Sequence, residues 1–87
     1  MNIKYEFAVR EIMGDYILVP IGQSALAFAG MVTTTEVGAF LWKHLPSAQD
    51  EEELVELLLN EYDVDRETAS ADTAEFLQKL REMGILE

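Results

Sequence analysis

The sequence predicts an α+β fold, in which three short strands are followed by three helices. Residues 1–30 hold short β-rich runs separated by glycine-containing turns. From residue 33 onward, apolar residues recur at helical spacing behind N-cap signals. The chain has 87 residues, of which 49% are hydrophobic and 26% are charged. We therefore expect one globular domain spanning residues 1–87.

The N-terminal part is predicted to form an antiparallel β-meander. The first β-rich run covers residues 7–12 and the second covers residues 16–19. Between them, Met13-Gly14-Asp15 is predicted to be a turn, because Gly14 adopts a positive φ without steric cost. A third strand is predicted at Leu26-Ala27-Phe28. Three strands this close in sequence favour a meander.

The remainder is predicted to form three helices, each with its own start signal. Thr33 or Thr35 is expected to cap the first helix, and Pro46 is expected to end it. Asp50 is expected to cap the second helix and Asp65 the third, since a short acidic side chain accepts the first free backbone N–H groups of a helix.

The spacing of the last two helices indicates a helix-turn-helix. Only a few residues around Asp63-Val64 separate them. Gly84 is expected just beyond the last helix, with Ile85 or Leu86 folding back onto it as an apolar contact. Three strands and three helices that end in such a pair resemble a winged-helix layout.

Composition excludes several classes of function. There is no cysteine and a single histidine, His44, so a thiolate nucleophile, a disulfide framework and a histidine-rich metal site are excluded. Seventeen acidic residues against six basic ones give a net charge of −11, which opposes binding to nucleic acid or to an anionic membrane. We find no apolar run long enough to span a membrane and no signal-peptide pattern, so we expect a cytoplasmic location.

No group of residues in the sequence indicates a catalytic site. The sequence offers no Cys–His pair or credible Ser–His–Asp set, and its glycines form no phosphate-binding loop. His44 suits the C-terminal end of the first helix, where a cation is favoured. The acidic run 50–53 is predicted to be the solvated start of a helix, because its spacing does not match a calcium loop. We therefore expect no catalysis, no cofactor and no metal.

A helix-turn-helix is a motif that DNA-binding proteins use. Residues 50–83 contain twelve acidic residues and three basic ones, and a recognition helix must approach phosphates. The charge balance therefore opposes DNA binding. A winged-helix transcriptional regulator or a protein–protein adaptor nevertheless stays as the alternative function.

Peptide binding is the function that the predicted fold favours. The last strand of a small sheet leaves its backbone groups unpaired at the edge, where an extended peptide can add as a further strand. The third helix is the candidate second wall of such a groove. On it, Phe76, Leu77 and Leu80 are predicted mainly as core, whereas groove-lining positions are expected among Asp72, Glu75 and Lys79.

The sequence resembles the PqqD family over nearly its whole length. Single pieces are mostly core residues, but their order and spacing together are specific. The residues that carry the resemblance are Arg10-Glu11-Ile12-x-Gly14-x-Tyr16-Ile17-Leu18-Val19-Pro20 in the first hairpin, Gly30-Met31-Val32-Thr33 and Glu36-Val37-Gly38-Ala39-Phe40-Leu41-Trp42 at the first helix, Glu52-Glu53-Leu54-Val55 and Glu61-Tyr62-Asp63-Val64 in the second, and Ala69-x-x-Asp72-x-x-x-Phe76-Leu77-x-x-Leu80-x-x-x-Gly84-x-Leu86 in the last.

The resemblance implies a non-catalytic peptide chaperone. Proteins of this kind bind the leader of a ribosomally synthesised precursor peptide and present it to a modifying enzyme, often a radical SAM enzyme. The resemblance does not decide whether the pathway is that of pyrroloquinoline quinone or another one. A homodimer formed through the sheet edge is a further alternative. The leader would add beside the third strand and pack on the third helix. Mapped onto this chain, the implied peptide-binding residues are Leu26, Ala27, Phe28, Ala29, Asp72, Thr73, Phe76, Lys79 and Leu80.

Overall fold

The strands form one small antiparallel sheet. The computed structural model describes residues 1–27 and 30–87. Its sheet has the order β1 (Phe7–Ile12), β2 (Asp15–Pro20), β3 (Val32–Thr34). Both neighbouring pairs are antiparallel, so the predicted three-stranded meander ahead of the helices is confirmed.

The β1–β2 hairpin closes through a two-residue turn. Met13 and Gly14 have φ values of 53° and 87°, the combination that matches the twist of a tight hairpin. The turn pairs Ile12 with Asp15 and, further along, Val9 with Leu18. Leu18 is fully buried, so its face of the sheet packs against the helices.

The predicted position of the third strand is wrong. Leu26 and Ala27 belong to a short helix, α1 (Ser24–Ala27), whereas Phe28 and Ala29 lie outside the described residues. Turn-type hydrogen bonds run from the N–H groups of residues 24–26 to the carbonyl groups of residues 21–23. Leu26 is 91% exposed and has no sheet face to cover. The strand forms instead at Val32–Thr34, where consecutive β-branched side chains favour extended backbone.

Three longer helices follow the sheet, as the sequence predicts. A short 3₁₀ helix that contains Pro46 follows the first of them directly. The last two helices are separated by four residues and form the predicted helix-turn-helix. The elements are α2 (Glu36–His44), the 3₁₀ helix (Leu45–Ser47), α3 (Glu51–Glu61) and α4 (Arg66–Glu82).

All three long helices begin at a predicted cap. Thr35, the second of the two candidates for α2, accepts a hydrogen bond from the N–H of Gly38 at 3.1 Å. Asp50 accepts from the N–H of Glu53 at 2.9 Å, and Asp65 accepts from the N–H of Thr68 at 2.7 Å. Each cap therefore satisfies a backbone donor that the helix itself cannot pair.

The end of α4 ties the last residues back to the core. Gly84 has φ +75°, and its N–H donates to the carbonyl of Arg81, while the N–H of Ile85 donates to the carbonyl of Leu80 at 2.9 Å. This pair of bonds is the Schellman motif. Ile85 and Leu86 are buried, and Leu86 forms a bridge with Ile3.

The core lies between the sheet and the helices. Trp42 of α2 donates its indole N–H to the carbonyl of Phe7 at 3.2 Å, and the two rings meet edge to face. This contact joins the first helix after the sheet to β1. The fully buried leucines of the core are Leu18, Leu41, Leu45, Leu54, Leu58, Leu77 and Leu80.

Candidate peptide-binding groove

A groove of about 510 Å³ lies between the last strand and the last helix. One wall comes from β3 and the residue after it, and the opposite wall comes from α4. The floor is formed by Val37, Gly38 and Leu41 of α2 together with Phe76 of α4. The lining residues are Thr33, Thr34, Thr35, Val37, Gly38, Leu41, Asp72, Glu75, Phe76 and Lys79.

The β3 wall is the edge of the sheet. β3 pairs with β2 on one side only, with Thr33 opposite Ile17 and Thr34 opposite Tyr16. Among residues 1–27 and 30–87, no strand pairs with its other side. In an antiparallel edge strand, the N–H and C=O groups of alternate residues point away from the sheet. This edge can therefore accept hydrogen bonds from, and donate them to, an added strand.

The floor of the groove is apolar and depends on a glycine. Leu41 and Phe76 are buried, and Val37 is half-buried. A methyl group at Gly38 would overlap the hydroxyl of Thr34 and lie 3.3 Å from the Phe76 ring. The absence of a side chain at Gly38 therefore lets α2 lie close to both walls.

The rim of the groove is charged. Asp72, Glu75 and Lys79 are exposed on α4, at spacings of three and four residues, and so lie on one face of that helix. In the described part of the chain, the ion pairs connect Arg66 with Glu52 and Glu56, between α3 and α4. The three rim charges take no part in those pairs.

Three of the predicted site residues line this groove. Asp72, Phe76 and Lys79 do so, together with Glu75, which the sequence suggested as a flanking position. Thr73 and Leu80 face the core instead, with 0% and 1% of their surface exposed.

The remaining predicted positions fall elsewhere. Leu26 and Ala27 belong to α1 and are not among the groove residues, and Phe28 and Ala29 lie outside the described residues. The six lining residues from positions 33–41 were missed. The β-branched run Val32-Thr33-Thr34 is the sequence signal for a strand there, although its threonines also suit the start of a helix.

A second concave surface lies beside α2, with a volume of about 430 Å³. Phe40 lies on it and packs edge to face on Tyr62, with ring centroids 5.5 Å apart. Burial, together with the neighbouring Glu36 carboxylate, raises the pKa of Tyr62 above its ordinary value. His44, at the end of α2, packs against Phe40 in a tilted arrangement, with ring centroids 4.5 Å apart. Its position fits the expected structural role.

The acidic start of α3 is accounted for by capping. Asp50 caps the helix, and the Glu53 carboxylate accepts the N–H of Gln49 at 2.8 Å. Within the ranges that the structure describes, no three acidic or histidine side chains cluster closely enough to hold a metal ion. None of the helices there is long and apolar enough to cross a membrane.

Comparison with known families identifies the chain. The family model for coenzyme PQQ synthesis protein D (PqqD) matches residues 16–86. The chain belongs to the PqqD family. The matched segment includes every lining residue of the groove between β3 and α4. No curated protein matches this PqqD-family chain.

Two solved structures share the fold of this PqqD-family chain. The first, TbiB1 in complex with the TbiA(beta) leader peptide, is 26% identical, with a TM-score of 0.71, and the match covers 100% of this chain and 95% of the other. The second, lasso peptide synthetase B1 complexed with the leader peptide, is 19% identical, with a TM-score of 0.69. That match covers 99% of this chain and 95% of the other.

Proposed function

We propose that this chain binds the leader of a ribosomally synthesised precursor peptide in the groove between β3 and α4. The observation that carries the proposal is an unpaired sheet edge beside an apolar-floored groove, in a PqqD-family chain that is similar to a leader-bound protein. The leader adds antiparallel or parallel to β3 as a fourth strand. Its alternate side chains then face the floor formed by Val37, Leu41 and Phe76.

The binding energy in this mechanism comes from two sources. Main-chain hydrogen bonds along β3 contribute about 0.5–1.5 kcal/mol each and are insensitive to the leader's sequence. Apolar leader side chains contribute about 25 cal/mol for each Å² that they remove from water on the floor. Specificity must therefore come from the floor and the rim.

The chain acts in this proposal without catalysing a reaction itself. It holds the leader and presents the rest of the precursor to a separate modifying enzyme, of the radical SAM type or another, in the cytoplasm where the precursor is made. Nucleic-acid binding is disfavoured by the net charge of −11.

Calorimetric titration tests the proposal. The probes are N-terminal segments of short open reading frames encoded beside the gene, with scrambled segments as controls and the TbiA(beta) leader as a further probe. We expect one-to-one binding to one segment and not to its scrambled form. Hydrogen exchange of the complex should slow at those amides of residues 33–35 that point away from β2. Protection confined to another surface would contradict the groove.

A matched pair of proline variants tests strand addition. The N–H groups of Thr33 and Thr34 point to opposite sides of β3, one toward β2 and the other toward solvent. The variant, Thr33→Pro or Thr34→Pro, that removes the N–H pointing toward β2 should disturb the sheet. The other should keep the circular dichroism spectrum and lose about fivefold or more in peptide affinity. If the well-folded variant binds as tightly as the parent chain, strand addition at β3 is refuted.

A further inference from the structure

The rim of the groove carries three charged side chains that form no ion pair within the part of the chain that the structure describes. Asp72 and Glu75 lie one helical turn apart, and Lys79 follows one turn beyond Glu75. All three are exposed and line the groove. Because the ion pairs within the described residues involve Arg66 only, these side chains are available to a bound peptide.

The spacing of these charges matches the repeat of an extended peptide. The midpoint between Asp72 and Glu75 lies five to six residues before Lys79, which is about 8 Å along the helix axis. An extended strand covers about 7 Å between successive side chains on the same face. A side chain placed between Asp72 and Glu75 therefore has its next same-face neighbour close to Lys79.

We propose that the groove selects leader segments with a basic residue facing Asp72 and Glu75, and without a second basic residue at the next same-face position, beside Lys79. The inference rests on the proposed function, because it names the class of leader that the same groove takes. Two carboxylates attract a cation at one end, and the Lys79 ammonium group repels one at the other. The charges thereby fix both the register and the direction of the added strand.

The charge of the whole chain supports this assignment. With a net charge of −11, the protein attracts cationic peptides and repels anionic ones before contact. Main-chain pairing along β3 cannot distinguish one register from another, since every residue of a peptide offers the same groups. Rim charges are then the polar groups that can make one register better than its neighbours.

Selection of random peptides on the intact chain tests the proposal. A displayed library of peptides about ten residues long is selected at low salt, and the selected peptides are checked by exchange protection of residues 33–35. We expect enrichment of Lys or Arg at one position, at a fixed spacing from apolar residues. The same selection on Asp72→Asn/Glu75→Gln should lose that enrichment. The control Glu82→Gln/Glu87→Gln changes the net charge equally, outside the groove, and should retain it.

A double-mutant cycle measures the contact directly. A selected peptide and its Lys→Gln form are titrated against the parent chain and Asp72→Asn/Glu75→Gln. The peptide change alone, or the protein variant alone, should weaken binding about three- to tenfold at low salt. The changed peptide and the variant protein together should bind little more weakly than either change alone. If the selected peptides slow exchange at residues 33–35 but share no basic residue at a fixed position, this inference is overturned and the proposed function stands. Failure to select any peptide that protects residues 33–35 would overturn both.

Discussion

Replacing Gly38 with alanine tests whether close packing of α2 shapes the groove. Gly38 is the third residue of α2, and its N–H is held by the Thr35 cap. An added Cβ would overlap the Thr34 hydroxyl, lie 3.2 Å from Thr34 Cβ and 3.3 Å from the Phe76 ring. Thr34 can rotate its hydroxyl away, but its Cβ is fixed to β3, which is paired with β2.

Two opposing effects set the size of the change. Alanine is favoured over glycine inside a helix by up to about 1 kcal/mol. Overpacking of a well-packed site costs about 1–3 kcal/mol. Since three atoms crowd the methyl group and two of them cannot rotate away freely, we expect Gly38→Ala to lower the free energy of unfolding by about 1–2 kcal/mol. In a domain of this size that lowers Tm by about 5–15 °C.

Thermal unfolding followed by circular dichroism measures the effect, and a second variant identifies its cause. Thr34→Ala removes the hydroxyl group, which is the atom that the new Cβ meets first. Thr34→Ala/Gly38→Ala should therefore be more stable than the sum of the two single changes predicts. If Gly38→Ala raises Tm, helix propensity outweighs crowding, and the argument that the glycine is needed for close approach is refuted.

Three further substitutions test other parts of the fold. Thr73→Val should raise the free energy of unfolding by about 1 kcal/mol in urea titration, because the Thr73 hydroxyl is fully buried without a hydrogen-bond partner and valine keeps its shape; a loss of stability would reveal a partner. Gly84→Ala should cost about 1 kcal/mol, because φ +75° is strained for alanine, and an unchanged Tm would argue against the Schellman geometry. The backbone N–H and the side chain of Thr68 hold the pKa of Asp65 below its ordinary value. The Asp65 carboxylate therefore stabilises the fold above the unfolded-state pKa, and this contribution is lost as pH falls through the lower folded-state pKa. Asp65→Asn should make unfolding less sensitive to acid as pH falls below about 4, the ordinary pKa of an aspartate, and an unchanged pH dependence would contradict the assignment.

Local signals in the sequence were sufficient for most of the fold. Caps at Asp50 and Asp65 and a C-terminal glycine at Gly84 are features of a few neighbouring residues, and all three were predicted correctly. The third strand was misplaced because its identity depends on pairing. Leu26 lies in an apolar run, but in the described part of the chain it is Val32–Thr34 that pairs with β2 on the side opposite β1. Strand propensity depends on context, and short apolar runs do not reveal their partner.

The site was predictable on one wall only. On α4, helical periodicity separates Asp72 and Lys79 from the buried residues beside them, so the exposed positions could be expected to line a groove. Thr73 and Leu80 sit one residue from those positions yet point into the core. The opposite wall and the floor required the third strand to be placed correctly first. The role of Gly38 cannot be inferred from sequence, since it arises from the approach of Thr34 and Phe76.

A protein with an open sheet edge must admit a peptide without pairing with copies of itself. β3 is only three residues long, and α4 forms a wall beside it, so its edge offers few backbone groups to a second folded sheet. A second copy also brings its own charge of −11, and the two copies repel each other. A basic residue in an extended peptide makes its approach to this acidic surface favourable. The same acidic surface therefore disfavours association of two copies through β3 and, under the inference above, favours a leader with a basic residue at the rim.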